Sequence, residues 1–285
     1  MSGDWTRAEV EAAVADYREM LALELKGERF NKAARNRGLQ RVLEGRSHGS
    51  VERKHQNISA ILIELGYPYV EGYKPLGNYQ DLLFNVVEEQ VAADAMLLAL
   101  VKQSAEITTA SPAKPESIED MLAALEAPPE GRERAPYPDR GRERRSLPPR
   151  LNYLALEAAN AAQGLAGEEW VLGFERARLA KAGRANLADR IEWVSRDRGD
   201  YLGFDIRSYE TDGSDRLVEV KTTKHGKETP FFVTRNEVRV SRDRGRVYHL
   251  YRLFRFQRGP RLYVLPGALE DSCLLDPMAY EARVR

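Results

Sequence analysis

The stretch EGRERAPYPDRGRERRSLPPR, residues 130–150, interleaves prolines with charges and has almost nothing apolar to bury, so it cannot run through a core. It divides the 285 residues into two parts, in keeping with the usual domain size of about 100–200 residues. The expected organisation is a helical domain over 1–102, a linker over 103–150 and a second domain over 151–285. Within the linker, SIEDMLAALEA reads as a short helix whose Ile118, Met121, Leu122 and Leu125 form a docking stripe.

On the N-terminal side, Val10, Val14, Tyr17, Leu21 and Leu25 recur at three- and four-residue steps behind a capping box, Thr6 with Glu9. FNKAARNRGLQRVLEG gives a second helix, and SVERKHQNISAILIELG a third, with Ser50 as its N-cap. A loop rich in Tyr, Pro and Gly follows, then one long helix, DLLFNVVEEQVAADAMLLALVK. This third of the chain reads as all helical.

From Leu151 the pattern changes. LNYLALEAANAAQGLAGEEWVLGFERARLAKAG reads as a helix. RIEWVS, YLGFDIRSYE, RLVEVKTT and TPFFVT are short strand-like runs between turn signals. TRNEVRVSRDRG opens with a second capping box, Thr234 with Glu237, before RVYHLYRLFRF and RLYVLP return to strand character. The fold class is therefore α+β multidomain, an all-helical N-terminal domain joined to an α/β domain with a mixed central sheet.

Side chains alternate along a strand, so in RLVEVKTT the charges of Glu219 and Lys221 share one face while Val218 and Val220 share the other. Glu-x-Lys alone most often marks a surface ion pair worth little. A carboxylate inside a sheet, however, costs several kcal/mol unless it is paired, hydrogen-bonded or bound to a cation. Asp205, on the preceding run, supplies a second carboxylate across a hairpin-length connection. Two such groups are oxygen ligands for Mg²⁺, with Mn²⁺ as a second candidate. A lysine beside them can orient the attacking water or offset charge on a phosphate.

Asp205 followed by Glu219-Val220-Lys221 resembles the signature of the PD-(D/E)XK nuclease superfamily. More closely, GDYLGFDIRSYE, RLVEVKTT, PFFVTRNEV and YHLYRLFRF resemble the C-terminal domain of the NO VEIN family, grouped with those nucleases, over about the last 120 residues. The resemblance implies a restriction-endonuclease-like fold, with Asp205, Glu219 and the Val220 carbonyl on the metal. It also implies that Lys221 serves the nucleophile and that Glu175 is the acidic residue of the first core helix. Phe204 stands where that signature often has proline.

Equal totals of 44 basic and 44 acidic residues give no hint of a polyanionic partner, but the charges are not evenly spread. Arg46, Ser47, His48, Ser50, Arg53, Lys54, His55 and Asn57 crowd around one helix start, where backbone N–H groups and basic side chains suit phosphate and base edges of double-stranded DNA. The bland alternative is a solvated helix face. The region from FNKAARN to PLGNYQ also resembles an N-terminal module of bacterial restriction endonucleases that carry a His-Asn-His domain, which by analogy implies a target reader. Tyr67, Tyr69 and Tyr73 are candidates for base stacking or, more simply, packing anchors.

Cys273 alone excludes internal disulfides and cysteine zinc clusters, and neither a signal peptide nor a membrane span is legible, so the expected setting is cytoplasmic. The expectation is a Mg²⁺-dependent DNA endonuclease of restriction or defence type, needing a homodimer or sequential nicking for double-strand cleavage. The alternative is a catalytically inactive nuclease fold that binds DNA or acts as a scaffold.

Overall fold

A computed structural model describes residues 4–106, 112, 115–130 and 153–276. Of the linker expected over 103–150, residues 131–150 thus lie outside the described residues. In chain order the helices are α1 (Arg7–Leu25), α2 (Lys32–Gln40), α3 (His48–Glu64), α4 (Asp81–Ala93), α5 (Ala95–Glu106), α6 (Ile118–Leu122), α7 (Tyr153–Ala158), α8 (Ala161–Lys181), α9 (Ala185–Ala188), α10 (Val194–Arg198), α11 (Arg235–Arg244) and α12 (Leu269–Ser272). The strands are β1 (Glu192–Trp193), β2 (Ile206–Tyr209), β3 (Asp215–Thr222), β4 (Tyr248–Phe254) and β5 (Arg261–Pro266). The α+β class read from the sequence is the class observed.

The described residues form two compact units. One holds residues of 4–106, 153–161 and 225–232, and the other holds residues of 112–130, 162–224 and 233–276.

In the first unit α1 begins as its sequence dictates, with Thr6 and Glu9 exchanging capping-box bonds, and it buries Val10, Val14, Tyr17 and Leu21. These meet Val51, Ile58 and Leu62 of α3 and Leu83, Phe84 and Val87 of α4 in one core. The expected single helix over 81–102 is broken at Asp94, whose backbone leaves the helical region (φ −93°, ψ 84°). Its carboxylate accepts from Leu97 N at 2.8 Å, starting α5, and pairs with Arg18. A residue that can cap a new helix thus competed successfully with continuation of the old one. Ser47 rather than Ser50 caps α3, its hydroxyl accepting from Ser50 N at 3.2 Å.

Residues 225–232 lie in sequence between β3 and α11 yet pack in the helical unit. His225 Nε2 is 2.6 Å from the Tyr153 hydroxyl, and the Tyr69 hydroxyl donates to Glu228 at 3.2 Å. The strand expected over TPFFVT therefore does not form; its last residue, Thr234, instead caps α11. The long helix expected from Leu151 is likewise two, α7 and α8, separated at 159–160.

The second unit is built on a five-stranded sheet in the order β1-β2-β3-β4-β5. All neighbours are antiparallel except β3 and β4, which run parallel and need the crossover that contains α11. One face carries Ile206, Val218, Val220, Tyr251, Leu253 and Leu262, packed against Trp170, Val171 and Phe174 of α8. At the α8 end of this contact, a Cβ on Gly167 would overlap the Thr222 hydroxyl, so only glycine permits the approach. The short helix expected inside the linker forms as α6. Behind it, Leu125 bridges to Leu262 beside β5, and Ala124 enters the sheet's core.

Candidate active site

The alternation along β3 places Leu217, Glu219 and Lys221 opposite Tyr248, Leu250 and Arg252 of β4, on the sheet face away from α8. Glu219 is buried, and Lys221 Nζ lies 2.7 Å from its Oε1. The same ammonium is 2.8 Å from Glu237 Oε2 on α11.

Asp205 arrives from the neighbouring strand. Its backbone N–H donates to Val218 O at 2.9 Å, and its Oδ2 accepts from Val220 N at 2.7 Å, taking the place of the next main-chain acceptor where the β2 ladder ends. The loop before it is held against α11: Gly203 has φ 77° and no room for a Cβ beside Val240 and Asn236, and Asn236 Nδ2 donates to Tyr201 O at 2.9 Å.

A fourth carboxylate, Glu168 on α8, accepts from Trp193 Nε1 at 2.6 Å and from the Ser195 hydroxyl. Ser195 N donates to Asp205 O at 3.0 Å, so Glu168 and Asp205 hang on the same residue.

These groups are electrostatically linked. Burial and then Glu168 push the Asp205 carboxyl up to about 7, against the Val220 N–H and Lys221. Burial and then Asp205 push Glu219 well above the usual carboxylate range. Although burial opposes its charge, Glu219 and Glu237 together hold the Lys221 ammonium above its ordinary value, so it stays a cation at neutral pH. The cluster gathers several carboxyl groups around the Lys221 ammonium.

Glu175 is not part of it. This buried carboxylate accepts from Arg178 (2.9 and 2.6 Å), Ser208 (2.6 Å) and Tyr251 (2.6 Å), with Arg216 at 3.9 Å. Ser208 is opposite Arg216, and Tyr251 is opposite Val220, so Glu175 sits under the face that faces away from Glu219 and Lys221. Seven residues separate Glu168 from Glu175, about 10 Å along the helix, and the acid of α8 that reaches toward Asp205 is Glu168.

The basic cluster of the helical unit disperses in the same way. Arg46 forms a two-pronged pair with Glu9 (2.7 and 2.9 Å), donates to Asp4 O and lies over the Trp5 ring. Lys54 is buried, also over Trp5, and donates to Gln80. His55 is fully buried between Tyr17 and Tyr73, pushed down to about 4 by burial and then by Arg35, and so neutral at pH 7. Asn57 is spent on Leu76 O and Gly77 O. Of the remaining four, Ser47, His48 and Arg53 are exposed and Ser50 is partly so.

The signal was in the helix period. Lys54 and His55 continue the stripe of Val51, Ile58, Ile61 and Leu62, which faces inward. Tyr69 and Tyr73 are buried, and Tyr67 packs on the same core, so these rings anchor their loop. Arg46→Ala is expected to lower the thermal midpoint and to leave unchanged the salt dependence of whatever DNA binding the wild type shows. A log–log slope smaller by about one would instead mean that Arg46 contacts phosphate.

The match to known proteins falls on the sheet and its flanking helices. Residues 167–265 match the family model described as Protein NO VEIN, C-terminal. The matched segment contains Glu168, Asp205, Glu219, Lys221 and Glu237 and stops short of the helical unit's first five helices. No curated protein and no solved structure matches the chain. No described helix is long and apolar enough to cross a membrane.

Proposed function

We propose that the NO VEIN C-terminal segment is a metal-dependent endodeoxyribonuclease centred on Asp205, Glu219 and Lys221, of the PD-(D/E)XK type. The observation that carries this reading is the convergence of buried Glu219 and half-buried Asp205, both held above the usual carboxylate range, on a lysine near the end of β3. A stable fold gains nothing from crowding carboxyl groups whose charge burial penalises, and strongly displaced titrations of this kind are characteristic of sites that do chemistry. The order helix, three antiparallel strands, helix and parallel strand also supports it.

The donor set fits a hard divalent cation. Asp205 and Glu219 would supply carboxylate oxygens and Val220 its carbonyl, and two carboxylates suit Mg²⁺, which keeps much of its water. Among the described residues no group of three or more His, Cys, Asp or Glu side chains is placed to hold a metal ion. When bound, such an ion activates water and polarises a phosphate oxygen.

The chain's own groups do the rest. Lys221, held charged by its two carboxylates, acts as a donor to the phosphate rather than as a base. Glu168 is held by Trp193 and Ser195 where it acts electrostatically on Asp205. Exposed Arg235, Arg239, Arg242 and Arg244 on α11 offer positive charge to the polyanion beside the site.

The test is incubation of purified full chain with supercoiled plasmid and linear duplexes in Mg²⁺, Mn²⁺ or EDTA, modified and unmodified substrates included. Cleavage that needs the metal and disappears in Asp205→Ala is the expected result. Metal-independent cleavage, or cleavage unaffected by Asp205→Ala, removes the assignment. DNA binding with no cleavage in any arm would leave the inactive, binding-only form of the fold.

A further inference from the structure

The Lys221 ammonium has two carboxylate partners where an ordinary ion pair has one, and they come from different elements. Glu219 precedes it by two residues on β3, so the two side chains share a face and are fixed to the same strand. Glu237 approaches from the first turn of α11 at 2.8 Å. All three are largely shielded, with side-chain exposures of 5% for Glu219, 12% for Glu237 and 19% for Lys221, so neither contact is a solvated surface pair.

Glu237 is also held in place from its other side. Its Oε2 accepts from Thr234 N at 3.2 Å, and the Thr234 hydroxyl accepts from Glu237 N at 3.2 Å. The carboxylate that completes the helix cap is thus the one that meets Lys221, and the Thr234 backbone N–H, which a change of that side chain leaves in place, restricts its rotamer before the lysine is considered. The residue beside it, Asn236, ties down the loop that delivers Asp205. Buried Tyr248 lines this face next to Glu219 and Glu237.

A hard cation would compete with Lys221 for the oxygens of Glu219. The lysine would then keep one partner. We propose that Glu237 is the positioning residue for Lys221, holding the ammonium toward the scissile phosphate when Glu219 is engaged elsewhere. The inference rests on the nuclease reading for its consequence in catalysis and on the Lys221–Glu237 contact for its structural content. Two carboxylates on one lysine allow one to be released without setting the lysine free.

Three variants of the full chain test it: Glu237→Gln removes the charge, Glu237→Asp keeps it on a shorter arm, and Thr234→Ala removes the cap hydroxyl while leaving the carboxylate. Glu237→Gln is expected to lower kcat by roughly 10–100-fold, as loss of a supporting partner typically does, with KM for DNA unchanged. Glu237→Asp should recover part of the loss. Thr234→Ala should lower the thermal midpoint and keep the wild-type kcat.

The second readout needs no catalysis. Acetylation of Lys221 by acetic anhydride in the metal-free Glu219→Gln background, where the lysine has already lost its other charged partner, followed by peptide mass spectrometry, should be several-fold faster once Glu237→Gln is added and unchanged once Thr234→Ala is added. Equal labelling of Lys221 with and without Glu237→Gln in that background overturns the proposal, as does an equal fall in kcat in Glu237→Gln and Thr234→Ala. If the wild type cuts no DNA, labelling alone decides the positioning role, and the missing cleavage counts only against the nuclease reading.

Discussion

Glu219→Gln is expected to abolish metal-dependent cleavage and, in EDTA, to raise the thermal midpoint. The loss of rate should be roughly 10²–10³-fold or more, the cost of removing one charge-stabilising group from a shielded site. The gain in stability follows from linkage. Burial and Asp205 raise Glu219 well above its ordinary value, and Asp205 itself is pushed from 3.8 to about 7 by burial and Glu168. Between pH 4 and 7 the folded state therefore holds more protons at Asp205 than the unfolded chain does.

A group raised in this way adds stability that is fully present below its unfolded value and is lost as the pH rises through its folded value. The metal-free wild type should then lose stability from pH 5 to 8, and the Gln variant should lose less. Loss of a carboxylate that burial holds so far from its ordinary titration is expected to raise the midpoint by about 2–8 °C near pH 8. Scanning calorimetry of both proteins in EDTA across that range checks it. A Gln variant less stable than wild type at pH 8 would mean that Glu219 is a structural partner of Lys221 and nothing more.

Glu175→Ala is expected to have the opposite pattern, a large loss of stability with the chemistry of the folded molecules intact. Burial pushes this carboxyl up, yet the hydrogen bonds and charge of Arg178, with Arg216, hold it below the usual range, so it is an anion compensated on all sides. Truncation leaves the Arg178 and Arg216 guanidinium groups facing a cavity and takes the acceptor from Ser208 and Tyr251. Breaking a buried pair from one side costs about 3–5 kcal/mol, and Glu175→Gln, which keeps an acceptor, should cost less. Chemical denaturation of the two variants gives the values, and cleavage assayed well below their midpoints gives the rate per folded molecule. A normal midpoint with lost cleavage would return Glu175 to the site.

What could be read in advance was local. The two capping boxes at Thr6 and Thr234, the inward stripe of α1 and the shared face of Glu219 and Lys221 all follow from offsets of two to four residues. Asp205 was reachable because a hairpin is nearly local: pairing Ile206 with Val218 brings it beside the glutamate strand. Where two local preferences competed, the result was not legible. Asp94 can be read as a helix residue or as a cap, and its pairing with Arg18, distant in sequence, favours the cap.

The basic cluster at 46–57 shows a different limit. Residue type suggested a nucleic-acid contact, while periodicity placed Lys54 and His55 on the buried stripe of α3, and the periodicity prevailed because burying Val51, Ile58 and Ile61 fixes the rotation of the whole helix. Side chains with long apolar stems or aromatic rings can accompany such a stripe when Trp5 or Tyr73 lies beneath them.

The sequence by itself determined the α+β class, the split between a helical region and a sheet, and the pairing of Asp205 with Glu219 and Lys221, because strand alternation and hairpin pairing act over short distances. Only the tertiary structure decided which acid of α8 faces the site and that α11 supplies a second partner for the lysine. The first depends on how α8 is placed along the sheet, since Glu168 and Glu175 are seven positions apart and share one face of the helix, and the second on the rotation of α11. Both placements are set by the packing of Trp170, Phe174 and Gly167 on one face and of Val240 against Gly203 near the other, contacts between residues far apart in the chain.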